Sequence, residues 1–217
     1  MRPRTLDPVE IRILGCLVEK EATTPDAYPL SLKALTAACN QKTNRDPVMD
    51  LTETDVRQGL DRLHAEVLVW PVSGARVERW RHALNRALDL SDAGRSVLGV
   101  LMLRGPQTVG ELRSRADRMH PFRGLADVEA ALDSLTSDDE PLVVRLERRP
   151  GQKEARWAHL LGGEVHDVAP SGDDRPARPT PSRMEARLDA LEARLERIEQ
   201  HLSLIHISEP TRPRLIS

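Results

Sequence analysis

The chain repeats itself. Ile13-Leu14-Gly15-Cys16-Leu17 returns as Val97-Leu98-Gly99-Val100-Leu101, and Asp55-Val56-Arg57-Gln58-Gly59-Leu60-Asp61-Arg62-Leu63 returns as Asp127-Val128-Glu129-Ala130-Ala131-Leu132-Asp133-Ser134-Leu135. Arg79-Trp80-Arg81-His82 returns as Arg156-Trp157-Ala158-His159. Three matches in one order mean two copies of one small unit, which restricts the architecture more than any single motif does. Leu14 and Leu98 lie 84 residues apart but Leu60 and Leu132 only 72, so the first copy carries 12 extra residues between its first and third helices.

Each copy reads as three helices followed by a hairpin. Asp7-Pro8-Val9-Glu10 opens the first helix with a capping box and a first-turn proline, and Val9, Ile13, Leu14 and Leu17 follow at helical spacing. Thr23 to Pro29 reads as a loop, and Ser31 to Cys39 as a second helix with Leu32 and Leu35 inward. Thr52 caps a third helix whose stripe is Val56, Leu60 and Leu63. Val67 to Val72 and Val77 to Leu84 read as strands around a Ser73-Gly74 turn. In the second copy Ser91 precedes a helix bearing Val97, Leu98 and Leu101, and Thr108-Val109-Gly110-Glu111 is a capping box. Val128, Leu132 and Leu135 mark the third helix there, with strands at Leu142 to Leu146 and Ala155 to Leu161. This order predicts a mainly α fold with small β-hairpins (α+β): two tandem winged-helix domains, at 1–88 and 89–162.

A flexible linker is expected over 163–182, where the chain turns polar and rich in Pro and Gly. Met184, Leu188, Leu191, Leu195 and Ile198 then step by four and three, a heptad seam that predicts a short coiled-coil helix over 183–201 and a homodimer through it. The segment 202–217 resembles the translation of a sequencing adapter and is set aside as non-native.

Charge narrows the functions available. Net charge is −2, so any nucleic-acid contact has to come from a local patch. Asn40-Gln41-Lys42-Thr43-Asn44-Arg45 precedes the third helix and concentrates groups able to pair with base edges and phosphates. The opposing reading gives the same groups to helix caps and loop knitting. Arg57 and Arg62 stand on the third helix, but Gln41 to Glu66 holds four basic against six acidic residues. Arg76, Arg79 and Arg81 make the first hairpin basic, suited to phosphate contact or to blocking edge pairing. Together Asn40, Gln41, Lys42, Asn44, Arg45, Arg57, Arg62, Arg76, Arg79 and Arg81 form the candidate nucleic-acid-binding set. Leu125 to Glu140 has six acidic and no basic residues, which suits a protein partner better than DNA.

Catalytic and metal signatures are missing from the sequence. No GxSxG, phosphate-binding loop, dinucleotide fingerprint or HExxH occurs. Cys16 reads as a packed small hydrophobe, and a Cys39–His64 pair lacks a supporting third group. No enzyme activity, metal or cofactor is expected. No apolar run reaches the ~20 residues of a membrane span, and the N-terminus lacks a signal-peptide core, so a cytoplasmic location is expected.

Several long stretches resemble a known family. Ala27-Tyr28-Pro29-Leu30-Ser31, Ala38 through Val48, Arg104-Gly105-Pro106-Gln107-Thr108, Gly110 through Ala116, Arg118-Met119-His120 and Pro150 through Arg156 are similar to the YceH family of bacterial proteins. The likeness runs from about Leu6 to Gly163 and implies a tandem winged-helix fold. It brings no catalytic residues with it. Trp80 and Trp157 stand where the family pattern has smaller aromatics, a packing change. The combined expectation is a non-enzymatic binding protein, nucleic-acid-associated or regulatory through its first winged-helix domain. The rival is a protein–protein adaptor using both domains and the coiled coil.

Overall fold

The computed structural model describes residues 4–72, 77–136, 140–148, 152 and 154–163. The expected linker, the coiled-coil residues Met184 to Ile198 and the segment 202–217 lie outside the described residues, as does Arg76.

Helix α1 (Pro8–Thr23) begins as its sequence dictates. The Asp7 carboxylate accepts from Glu10 N–H at 2.9 Å while Glu10 accepts from Asp7 N–H at 2.8 Å. A short 3₁₀ turn at Pro25–Ala27 interrupts the expected loop, and β1 (Leu30–Ser31) follows. Ser31 caps α2 (Leu32–Cys39), and Thr52 caps α3 (Glu53–Ala65) through a reciprocal box with Asp55. Strands β2 (Val69–Val72) and β3 (Arg79–His82) form the hairpin. Both are shorter than their apolar patterns. Val67 sits at φ 59° with its N–H bonded to His64 O, which delays β2. At the far end Leu84 opens a helix, α4 (Leu84–Leu88), where an extended strand was expected.

The second half repeats the plan. It contains α5 (Asp92–Arg104), capped by Ser91; α6 (Val109–Ala116), boxed by Thr108 and Glu111; α7 (Leu125–Thr136); β4 (Val143–Arg145) and β5 (Trp157–His159). The fold is mainly helical with small antiparallel sheets. In the first sheet the order is β1-β3-β2, with Leu30 opposite Trp80. Gln107 makes the equivalent bridge to Trp157, with N–H···O distances of 2.9 and 2.7 Å in the two directions. In each half the residue just before the cap of the second helix therefore pairs with the hairpin tryptophan.

The predicted stripes form the core: Ile13, Leu14, Leu17, Leu35, Val56, Leu60 and Leu63 are buried in the first half and Val97, Leu98, Leu101, Val128, Leu132 and Leu135 in the second, while Val9 and Leu32 are partly buried against them. The halves share a single core because α1 packs along α5. Close approach comes from Gly15 and Gly99. A Cβ on Gly15 would lie 2.8 Å from Leu103 Cδ2 and 3.2 Å from Met102 Cβ, and one on Gly99 would lie 2.8 Å from Val18 Cγ1. Further links join the halves at Leu6 N–H to Leu161 O, 2.8 Å, and at the Glu21 carboxylate to Arg95, 3.0 Å.

Candidate nucleic-acid interface

The enlarged loop of the first half is tied down through Asn40, Gln41 and Arg45, while most of residues 42–50 stay exposed. Asn40 closes the loop by giving Nδ2 to Leu51 O and taking Leu51 N–H on Oδ1, both at 2.8 Å. Gln41 Oε1 accepts from Arg45 at 3.0 Å, and Lys20 Nζ lies 3.5 Å from the same oxygen. Asn44, at φ 61°, accepts from Arg104 through its side chain. Asp46 N–H donates to Leu103 O at 2.9 Å, covering a carbonyl at the open end of α5. Only Lys42 and Thr43 among residues 40–45 stand exposed without a hydrogen bond among the described residues.

Arg45 corrects the sequence reading most sharply. It is 6% exposed. Its guanidinium binds both oxygens of Glu19 at 2.7 and 3.2 Å, Ala38 O at 3.1 Å and Asn44 O at 2.8 Å. Burial pushes the Glu19 carboxyl up, but the Arg45 hydrogen bonds and charge outweigh it and hold Glu19 below the usual range. A charge buried and paired in this way is a structural tie and offers nothing to a phosphate.

Beneath it lies a group that sequence reasoning passed over. Arg12 is 1% exposed and donates to Cys39 O at 3.0 Å and Pro47 O at 2.6 Å. Arg12, Cys16 and Glu19 stand at i, i+4 and i+7 on α1, the spacing that puts them on one face. Cys16 belongs to the apolar stripe, so this spacing was the available signal. Cys39 is fully buried against Cys16, whose hydrogen bond, together with burial, pushes its thiol up. His64 is exposed on α3 and stands edge-on to Trp70 and Trp80, at 5.4 and 6.1 Å between centroids. Among the described residues no hydrogen bond joins it to Cys39.

The arginines of α3 are also engaged. Arg57 pairs with Glu78 at 2.6 Å and lies 5.7 Å over the Trp80 ring. Arg62 reaches the first turn of α1, 2.6 Å from Asp7 and 2.9 Å from Glu10. Burial raises the Glu10 carboxyl, but hydrogen bonds from Arg4, Asp7 N–H and Arg62 win and leave it below its usual range. The solvent side of α3 is left with Glu53, Thr54, Gln58 and Asp61.

The hairpin presents a different surface. Strand register sets Trp70 opposite Arg81 and Val72 opposite Arg79, so these four share the outer face. Trp70 is 42% exposed, and both arginines are exposed. Arg79 Nη1 is braced on Pro29 O at 2.8 Å, while Arg81 has no ion pair among the described residues. On the inner face His82 binds Glu21 at 2.9 Å, and that hydrogen bond lowers the Glu21 carboxyl. Sequence reading found both arginines but not Trp70. The alternation Val69, Trp70, Pro71, Val72 gave no clear outward side.

In α7 the exposed positions include Leu125, Asp127 and Glu129. Among the described residues no group of His, Cys, Asp or Glu is placed to hold a metal, and no described helix is long and apolar enough to cross a membrane.

Comparison with known proteins places this sequence in company. The family model described as "Protein of unknown function, DUF480" matches residues 6–152. A UPF0502 protein of Geobacter sulfurreducens is 51% identical over 193 residues, covering 86% of this chain and 87% of the relative. A UPF0502 protein of Shewanella amazonensis is 47% identical over 211 residues, covering 92% and 97%. One from Burkholderia multivorans is 54% identical over 163 residues, covering 75% and 69%.

Proposed function

This chain belongs to the DUF480 (UPF0502) family of bacterial proteins, and on that premise we propose a non-enzymatic, nucleic-acid-associated protein of the cytoplasm, built from two winged-helix units. The helix-helix-helix-hairpin order in both halves supports the winged-helix reading, as do the matching bridges at Trp80 and Trp157. The contact surface is the outer face of the first hairpin, not the Asn40–Arg45 loop. One observation carries this: Trp70 stands in solvent directly across from Arg81, with Arg79 beside it. The third helix does not read bases, because Glu53 and Asp61 on its solvent side would meet the phosphate rails.

Fluorescence anisotropy of labelled duplex and single-stranded oligonucleotides, titrated with the full chain at low and moderate salt, tests the reading. Saturable binding that weakens with salt is expected. Failure to bind any nucleic acid at low salt ends it. The heptads at Met184 to Ile198 make the protein a homodimer, which light scattering of the full chain against one truncated before residue 184 checks.

A second reading, a protein–protein adaptor, is favoured by the acidic exposed side of α7, where exposed Asp127 and Glu129 follow exposed Leu125 without a basic residue on the helix. Recovery of a stoichiometric protein partner that is lost on deletion of 184–200 supports it. An unchanged set of partners after that deletion counts against it.

A further inference from the structure

Resting on the nucleic-acid reading above, we propose that the outer face of the first hairpin takes a single strand, stacking one base on Trp70 while Arg79 and Arg81 hold the flanking phosphates. Geometry supplies the first argument. Trp70 and Arg81 are direct cross-strand partners, whose Cβ atoms in such a pair stand roughly 5 Å apart. Arg79 is two residues along β3, roughly 7 Å further, on the same side of the pleat. An aromatic platform with a cation at its edge and another one step away is the minimal unit of sequence-tolerant single-strand binding.

The indole is also held in place. His64 meets it edge-on at 5.4 Å with an interplanar angle of 83°, while 42% of the residue stays in water. A ring of this size left so exposed, beside a strand rather than on a chain end, offers a large apolar surface at little further ordering cost. Charge points to the occupant. The one acid next to these arginines in sequence, Glu78, is neutralised by Arg57 at 2.6 Å, and Glu21 is engaged with His82 and Arg95. The outer face is therefore cationic, although the chain as a whole is not.

A duplex fits less well for two reasons. Its bases are stacked inside and give the indole no free π-face. Docking it on α3 would set Glu53 and Asp61 against phosphates. A single strand needs only the hairpin face and leaves the acidic helix in solvent.

The test uses the full chain with fluorescein-labelled oligothymidylate and, in parallel, a hairpin duplex of equal charge. The single strand is expected to bind at least about tenfold more tightly than the duplex. Trp70→Ala should weaken it about tenfold or more and Trp70→Phe far less, as stacking requires. Arg79→Ala and Arg81→Ala should each reduce the slope of log affinity against log salt by about 0.7, a change that a merely structural role would not produce. Circular dichroism and melting confirm that each variant folds. Duplex binding without single-strand binding overturns this proposal and leaves the wider nucleic-acid reading standing; no binding to either removes both. Single-strand affinity indifferent to Trp70→Ala removes the site. Poly-glutamate bound as tightly as oligothymidylate assigns the face to an acidic protein and overturns the proposal.

Discussion

Gly15 and Gly99 hold the same position in the repeat, and each lies beneath a side chain of the other's helix. Gly15 is closed over by Leu103 and Met102, and Gly99 by Val18, the residue whose repeat equivalent is Met102. The contact is thus reciprocal in the manner of a two-fold interface, with i meeting j′ and j meeting i′. Repetition in the sequence has become pseudo-symmetry in the packing, and the shared core follows from it.

Alanine at either glycine therefore has no space. Overpacking costs about 1–3 kcal/mol, against a helix-propensity gain of about 1 kcal/mol. We expect Gly15→Ala and Gly99→Ala to lower the melting temperature by a few degrees. Gly15→Ala should be worse, because Leu103 Cγ at 2.9 Å and Met102 Cβ lie close to their backbone and cannot swing away. Gly110→Ala is the control: nothing lies within 4 Å of its Cβ, and it should stabilise α6 slightly. Thermal melts of the three variants decide the order.

Arg45→Met should be costly. It leaves Glu19, whose side chain is 13% exposed, with only Lys20 at 3.4 Å as counter-charge and without its two Arg45 hydrogen bonds. Breaking such a pair from one side costs about 3–5 kcal/mol. The double variant Arg45→Met/Glu19→Met should recover most of the loss, since two apolar groups leave no charge unmatched. Urea titrations of the single and double variants check this, and a double variant no better than the single would show that the guanidinium's carbonyl contacts matter more than the ion pair.

Val67→Asn should stabilise. A β-branched residue at φ 59° is strained, and at 51% exposure Val67 has little burial to lose. Relief of about 1 kcal/mol is expected, read as a rise in the urea midpoint.

Acid should weaken the fold in two stages. Burial holds His159 at about 4, below its ordinary value of 6.5. The unfolded chain therefore binds the extra proton first, and stability falls as the pH drops from about 6.5 towards 4, by at most about 3 kcal/mol. Glu10, Glu19 and Glu21 are held below their usual range, so their contribution is lost only beneath about 4.5. His159→Gln should flatten the upper stage alone. Melts every half pH unit from 7 to 4 measure it.

Local chemistry was the most readable layer of the sequence. Asp7, Thr52, Ser91 and Thr108 all cap the helices expected of them, and Ser31, read as the start of the second helix, caps it one residue earlier, because an N-cap is decided within four residues. The apolar stripes at helical spacing on α1, α3, α5 and α7 likewise found the core. Strand β1 escaped notice because two residues carry no periodicity, and α4 because Leu84 continues the apolar alternation of β3. The Asn40–Arg45 segment could have faced either way on composition alone. Its direction was fixed by Glu19 and Leu103, residues distant in sequence that supply a carboxylate and an open carbonyl. Trp70 was legible only once the register with Arg81 was known.

The reciprocal glycine crossing carries a kinetic consequence. Were each half a separate polypeptide, finding its mate would depend on protein concentration; joined by the few residues between α4 and α5, the partner is always at hand, at an effective millimolar level or above. Dilution that would dissociate two free halves leaves this chain assembled. The first hairpin's surface at Trp70 thus stays presented on the same shared core even when copies of the protein are scarce.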